Sequence, residues 1–366
     1  MFLCEDDVAG GGSRAVQLFA QGLAKRGHEI FCVGLTPLLW IASEERMRVI
    51  TPPFFKTKIR GIGRLNKILR NLWLQTIVRS RLHNFRPDWI LGHQWQPSLL
   101  VDSWRKNFKS KIGHFIFETS LMLAERPYGK HAEVWSQFEE CWTRSDVNLP
   151  ISIVTAQSLC ELGLDNVSVP IFPGVEPSFK IKPLEWKERQ DWVIYVGRLH
   201  PHKRVDRLIQ AFKEVPPNWT LHIAGVGPDE SRLKSIAKSF KSRVIFHGFI
   251  TEQEKWHFLT RSKLFVCPSM QEGFGMPVGE SLWAKTPCLA SNLEVFRKTY
   301  PRGVVFFDPD NISEFQERLL ELLQNDKKLR SIYESIGTLE IPYTWSNAAK
   351  SLEEVLSRGD IQQKHG

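Results

Sequence analysis

Residues 263–281 read KLFVCPSMQEGFGMPVGES, and their order of residue types decides the fold. KLFVC is a short apolar run of strand length. A glycine-punctuated turn follows, and Pro277 then suits the first turn of a helix. A strand, a glycine loop and a helix start make half of a βαβ unit. Gly273 and Gly275 leave room for a ligand to approach the backbone, and the amides of Gly275, Met276 and their neighbours would face an anion such as a diphosphate. Glu272 stands before the glycines and Glu280 about one turn inside the helix, so the two carboxylates reach different parts of one ligand. Carboxylates accepting from vicinal hydroxyls fit a sugar and a ribose. A turn of this kind standing alone would be read as a capped helix with surface glutamates.

The flanking sequence repeats the pattern. Strands are expected at 191–197 (DWVIYVG), 219–225 (WTLHIAG), 243–247 (RVIFH), 287–290 and 303–307, with helices between them. Thr251 and Glu254 form a capping box at one helix start. Towards the N-terminus come FLC, a helix after Ser13 ending at Gly27, EIFCV, a long basic helix near 62–85, DWILG and KIGHFIF. Alternation of strands and helices predicts two parallel α/β sheets, with ligands at the carboxyl ends of the strands. The Pro-rich, aperiodic stretch 170–190 marks the boundary. The expected domains are 1–172, which receives the C-terminal helix 344–366, and 173–343.

Composition narrows the class. At 366 residues the chain exceeds one ordinary domain, and 42% hydrophobic residues belong to a globular protein. No segment approaches the roughly 18 apolar residues that span a bilayer, and no secretory leader is visible, so the expected location is cytoplasmic. Cys4, Cys32, Cys141, Cys160, Cys267 and Cys288 form no CxxC pair and read as reduced core thiols. Eleven of the cations, and no carboxylate, fall within residues 46–86, which more than accounts for the net charge of +9. Their partner must be anionic, and no nucleic-acid motif accompanies them.

A second cluster joins the first. After the strand ending at Gly197 come Arg198-Leu199-His200-Pro201-His202-Lys203, which places two cations at the carboxyl end. Arg198 and Lys203 can neutralise a departing diphosphate without a metal. Either alone would read as part of a solvated loop.

YVGRLHPHK at 195–203, AGVGP at 224–228, FHGFI at 246–250 and SMQEGFGMPVGES with its two glutamates eight positions apart closely resemble the donor domain of family-4 retaining glycosyltransferases, also described as glycosyl transferases group 1. The resemblance implies the α/β GT-B fold, two Rossmann-like domains with parallel sheets facing a central cleft. It implies that Arg198 and Lys203 bind the diphosphate, that Glu272 contacts the transferred sugar, and that Glu280 binds the ribose hydroxyls. Glu272, Arg198 and Lys203 are the expected catalytic residues. Gly197, Gly248, Phe249, Ile250, Gly273, Phe274, Gly275, Met276 and Pro277 complete the expected donor site. Gly10, Gly11 and Gly12, before a helix, resemble the family's glycine loop near the β-phosphate and acceptor, with Gly11 and Gly12 expected at the donor, and PGVEPSF at 173–179 resembles its interdomain segment. Three departures stand out. Lys285 replaces a usual glycine before Thr286-Pro287, so the helix ends without its customary left-handed glycine. The acceptor-side His of the family falls nearest to His114 or Glu118, with a core-facing His114 as the alternative. FLC is short for a central strand, so the native start is expected upstream.

The implied reaction moves a hexose of mannose or glucose type, with retention, from a nucleotide-linked sugar (GDP or UDP) to a lipid-linked or saccharide acceptor. No cofactor and no metal are expected, although Glu5-Asp6-Asp7 offers a metal reading. Loops of the EGFGMP type favour mannose. The alternatives are an inactive sugar-nucleotide-binding scaffold, or another GT-B enzyme such as a sugar-nucleotide epimerase. From Ile62 to Phe85, apolar residues recur at helical spacing while Arg60, Arg64, Lys67 and Arg70 form a cationic side. Two readings stand: a helix lying on an anionic inner membrane face, aided by Phe54, Phe55 and Trp73, or one packed on its own sheet with its cations solvated.

Overall fold

The structure, a computed structural model, describes residues 1–4, 11–34, 44–51, 72–93, 96–123 and 130–358. The chain divides into two compact units, Met1–Pro173 with Trp345–Gly366, and Gly174–Thr344.

The first unit holds β1 (Phe2–Cys4), β2 (Ile30–Gly34), β3 (Met47–Ile50), β4 (Trp89–His93), β5 (Lys111–Ile116) and β6 (Val147–Pro150). They form one parallel sheet in the order β3-β2-β1-β4-β5-β6. Its helices are α1 (Gly11–Lys25), α2 (Arg79–Phe85, preceded by π-helical Leu74–Val78), α3 (Gln96–Trp104), α4 (Lys130–Arg144) and α5 (Ile153–Glu161). The second unit holds β7 (Gln190–Val196), β8 (Thr220–Ala224), β9 (Val244–Gly248), β10 (Ser262–Cys267), β11 (Cys288–Ser291) and β12 (Val304–Phe307), ordered β12-β11-β10-β7-β8-β9 and again all parallel. Its helices are α6 (Val205–Ala211), α7 (Glu230–Ala237), α8 (Glu252–Arg261), α9 (Met276–Trp283), α10 (Glu294–Thr299), α11 (Ile312–Gln324) and α12 (Asp326–Ile336).

The two sheets share one winding. In each, the first strand is central, the chain travels to one edge, then crosses back to the other. The order reverses between β1 and β4 and between β7 and β10, and at such a switch point the loops diverge and leave a crevice at the carboxyl ends. The expected strands fall in place, and the Thr251/Glu254 capping box forms, with the Glu254 amide donating to Thr251 Oγ1 at 3.2 Å. β3 and β6, four residues each, escaped the sequence reading. Periodicity is weak over so short a span.

Trp73, Leu74, Val78 and Leu82 are buried against Phe31, Val33, Ile90 and Ile112 of the first sheet. The described part of the basic segment therefore packs its apolar side on its own unit. Leu72 and Ile77 point outward, 55% and 46% exposed. Phe54, Phe55, Lys56, Lys58, Arg60, Arg64, Lys67 and Arg70 lie outside the described residues, as do Glu5, Asp6, Asp7 and Gly10. On the opposite face of the sheet Phe19 stacks on Phe115 at 5.0 Å. The last helix, α13 (Trp345–Arg358), lies on α1: Trp345 meets Phe19 edge-on, and Trp89 Nε1 donates to the Leu356 carbonyl at 3.1 Å.

Helix α9 ends in a left-handed cap without a glycine, because Lys285 itself adopts φ 57°. Its amide donates to Leu282 O at 2.9 Å and the Thr286 amide to Ser281 O at 2.7 Å, the paired bonds of a Schellman motif. One correction concerns the thiols: among the described cysteines Cys160 is exposed, while Cys32, Cys141, Cys267 and Cys288 are buried.

Candidate active site

The loops after β7, β8 and β9 lie side by side at one edge of the second sheet. The Gly197 amide donates to Ala224 O at 3.0 Å, and that of Gly225 to Gly248 O at 2.7 Å. Gly225 has φ 145°, and a Cβ there would sit 1.8 Å from Gly197 O. The glycines of AGVGP thus answer to backbone touching backbone. Beyond Gly197, Arg198 is exposed and its carbonyl accepts from Tyr195 Oη at 3.1 Å. Pro201–Lys203 forms one 3₁₀ turn, which carries Lys203 back over the strand ends.

The loop leaving β10 meets that turn. Met270 N donates to His202 O at 2.8 Å. Lys203 Nζ reaches Glu272 Oε1 at 2.7 Å, and Ser269 Oγ donates to the same oxygen at 2.8 Å. β7 and β10 flank the switch point, so the Lys203–Glu272 pair sits where the topology opens its crevice. Burial, reinforced by Lys203, His200 and Arg198, lowers the His202 pKa to about 3, so that imidazole is neutral and the positive charge rests on Arg198 and Lys203. Burial pushes the Cys267 thiol up to about 12, which removes it as a nucleophile.

Gly275 caps α9 at φ 79°, where a Cβ would meet Phe296 at 2.2 Å. Pro277 lies in the first turn and donates nothing. The Val278 amide is taken by Gly275 O at 2.9 Å, while the Gly275 and Met276 amides have no intrahelical acceptor by position. Gly273 and Phe274 lead into this start, and Phe274 packs edge-on against Tyr300 and Tyr343. Glu280 projects from the same helix and is 2% exposed, with Oε1 2.6 Å from Lys255 Nζ. Gly248 (φ 67°) ends β9, and Phe249 and Ile250 follow it beside a depression of about 450 Å³ lined in part by His247, Phe249, Ile250, His257 and Phe258.

In the first unit Gly11 and Gly12 lie inside the first turn of α1, not in a loop ahead of it, because the helix begins before Ser13. A Cβ on Gly12 would lie 3.5 Å from the Phe117 ring. His114 follows the core-facing reading: it lies within β5, fully buried, neither ring nitrogen has a hydrogen-bond partner among the described residues, and burial lowers its pKa to about 3. Alternation in the strand turns it into the core. Glu118 follows the strand and is half-buried. His93, which the sequence reading passed over, is last in β4 and packs edge-on against Phe117 at 6.2 Å, which brings it to the Gly12 side of the first unit's switch point. Its signal was available, since DWILG is followed directly by histidine at a strand's carboxyl end.

This geometry has close counterparts. One family model, Glycosyltransferase Family 4, matches residues 9–179, and a second, Glycosyl transferases group 1, matches residues 178–338. The two models together span residues 9–338, and the chain belongs to the family-4, group 1 glycosyltransferases and has the GT-B fold. Over 177 residues it is 24% identical to the serotype-specific mannosyltransferase WbdA of Escherichia coli, covering 46% of this chain and only 22% of WbdA. An uncharacterized glycosyltransferase of Methanocaldococcus jannaschii is 24% identical over 346 residues, 93% of each chain. Among solved structures, sucrose-phosphate synthase of Thermosynechococcus elongatus superposes with TM-score 0.79 at 15% identity over 98% of both chains. HepE of Anabaena, in complex with UDP and glucose, gives 0.73 at 15% identity over 98% of this chain and 99% of its own.

Proposed function

We propose that this glycosyltransferase moves a hexose, with retention and without a metal, from a nucleoside diphosphate to a saccharide or lipid-linked acceptor. The observation that carries the reading is the Lys203–Glu272 pair beside Arg198, where a cation for phosphate and a carboxylate for sugar hydroxyls converge at one strand-end crevice. Arg198 and Lys203 take the charge that develops on the leaving diphosphate, with the Met276 amide as a further donor. Glu272 orients the sugar, and Glu280 accepts from the ribose. The leaving phosphate helps deprotonate the acceptor, so no side chain needs to act as nucleophile. WbdA is named a mannosyltransferase and HepE holds UDP and glucose, which supports a hexose donor of either kind.

The first unit takes the acceptor, with His93 and the Gly11–Gly12 amides facing it. Outward Leu72 and Ile77, with exposed Arg81 and Arg86 on the same segment, support contact with an anionic membrane surface. No helix among the described residues is long and apolar enough to cross a membrane.

Free GDP and UDP are first screened by thermal shift, since a ligand that binds only the folded state raises apparent stability. Hydrolysis and transfer are then followed with the matching sugar nucleotides, for the wild type and Glu280→Ala. The expected result is transfer by the wild type and a raised donor KM in the variant. A wild type that binds nucleotide but transfers nothing would overturn the reading in favour of a scaffold.

A further inference from the structure

We propose that Lys255 is a positioning residue that sets the ribose-binding geometry of Glu280. The inference rests on the donor reading above. Lys255 lies one turn into α8, 6% exposed, and its Nζ stands 2.6 Å from Glu280 Oε1 and 2.9 Å from Glu252 Oε1. Glu252, three residues earlier on the same helix, thus holds the ammonium from one side while Glu280 receives it from α9.

An ion pair so deeply buried is a poor way to join two helices. Desolvation of both charges offsets most of the Coulomb attraction, and apolar side chains of equal volume would join the helices as well or better. What the pair does supply is an ionised carboxylate of fixed orientation. With Oε1 held by Lys255, the plane of the Glu280 carboxylate is set, and so is the direction in which Oε2 can accept. A hydroxyl arriving there meets an acceptor whose orientation is already determined.

The neighbourhood fits that role. α8 follows directly from the Gly248–Ile250 turn, and its N-terminus is fixed by the reciprocal Thr251/Glu254 bonds. The turn that would meet the base and the carboxylate that would meet the ribose are therefore joined through one short helix and one lysine. Base and ribose are presented at a set spacing.

The test compares GDP or UDP, whichever the protein binds, with its 2′,3′-dideoxy analogue, by calorimetry on the full chain. The wild type is expected to prefer the ribose form by on the order of ten-fold or more, the value of one charge-assisted hydrogen bond. In Lys255→Met that preference should fall to about three-fold or less, and donor KM should rise about ten-fold while kcat stays within about three-fold. Lys255→Arg, which keeps the cation, should recover part of the preference. Should Lys255→Met fail to fold, Lys255→Gln keeps a donor without the charge and carries the same expectation. A variant that retains the wild-type ribose preference overturns the positioning role. A wild type that does not distinguish the two nucleotides overturns the ribose assignment of Glu280 itself, and this proposal with it.

Discussion

Lys203 Nζ and Glu272 Oε1 are 2.7 Å apart, so the cation assigned to the diphosphate and the carboxylate assigned to the sugar neutralise each other in this structure. A diphosphate must then share Lys203 with Glu272. Glu272→Gln releases the lysine and should tighten binding of a free nucleoside diphosphate by about three- to ten-fold, while transfer falls. Lys203→Met should lower kcat/KM by about 10²–10³-fold, the usual loss for one charge-stabilising donor. Calorimetry with free nucleotide checks the first expectation, and weaker binding to Glu272→Gln would show that the two groups do not compete.

His93 and His114 should part in their effects. His93, at the carboxyl end of β4, is placed to meet an acceptor, so His93→Ala should reduce transfer by at least about ten-fold while leaving nucleotide binding unchanged. His114→Leu should leave transfer intact. Initial rates at saturating donor decide this, and the reverse pattern would return the acceptor side to His114.

His114 also gives a pH expectation. Its pKa is about 3 in the folded protein, against the ordinary value near 6.5 once unfolded. Between these values the unfolded chain takes up a proton that the folded chain refuses. Stability is therefore complete above about pH 6.5 and declines as pH falls towards 3, by about 2 kcal/mol from this residue between pH 7 and pH 5. His114→Leu removes that share and two unpartnered buried nitrogens, so urea unfolding at both pH values should show a smaller acid loss than in the wild type.

The second unit was readable because nearly every level of its sequence agrees. Strand-length apolar runs, a capping box, Pro277 in a first turn and glycines at forced backbone positions each point to one path of the chain. The first unit was less so. Its β3 and β6 are four residues long, too short to show a period, and α1 starts at two glycines that composition assigns to a loop. Between the two readings left open for His114, its place inside β5 favours the core-facing one, whereas the strand end is what brings a side chain to the crevice. No sequence pattern announces the Lys255–Glu280 pair, since the partners come from different helices and only packing joins them.

Lys285 should be improvable. A lysine at φ 57° carries the strain of a Cβ in the left-handed region, roughly 1–2 kcal/mol, and glycine there recovers it at some cost in unfolded-chain entropy. Lys285→Gly should thus raise stability by about 1 kcal/mol, or about 2–4 °C in Tm for a unit of this size. The position is remote from α9's first turn, so transfer should not change. A lower Tm would mean that the lysine side chain contributes more than its backbone loses.

The outward face of residues 72–78 tests the membrane reading. Leu72 and Ile77 are about half exposed, so Leu72→Glu combined with Ile77→Glu should alter stability by only about 0.5 kcal/mol. On an anionic surface the same changes remove two apolar contacts and set two carboxylates against lipid phosphate, while each neighbouring cation contributes about 1 kcal/mol of attraction. The wild type should float with vesicles of phosphatidylcholine and phosphatidylglycerol but not with phosphatidylcholine alone. Added salt should release it as the screening length shortens. The double variant should remain unbound and keep its activity on a soluble acceptor, since neither residue lies at the strand ends. Equal flotation of wild type and variant would show that residues 72–77 are not the contact, and failure of the wild type to float would remove the membrane from the reaction.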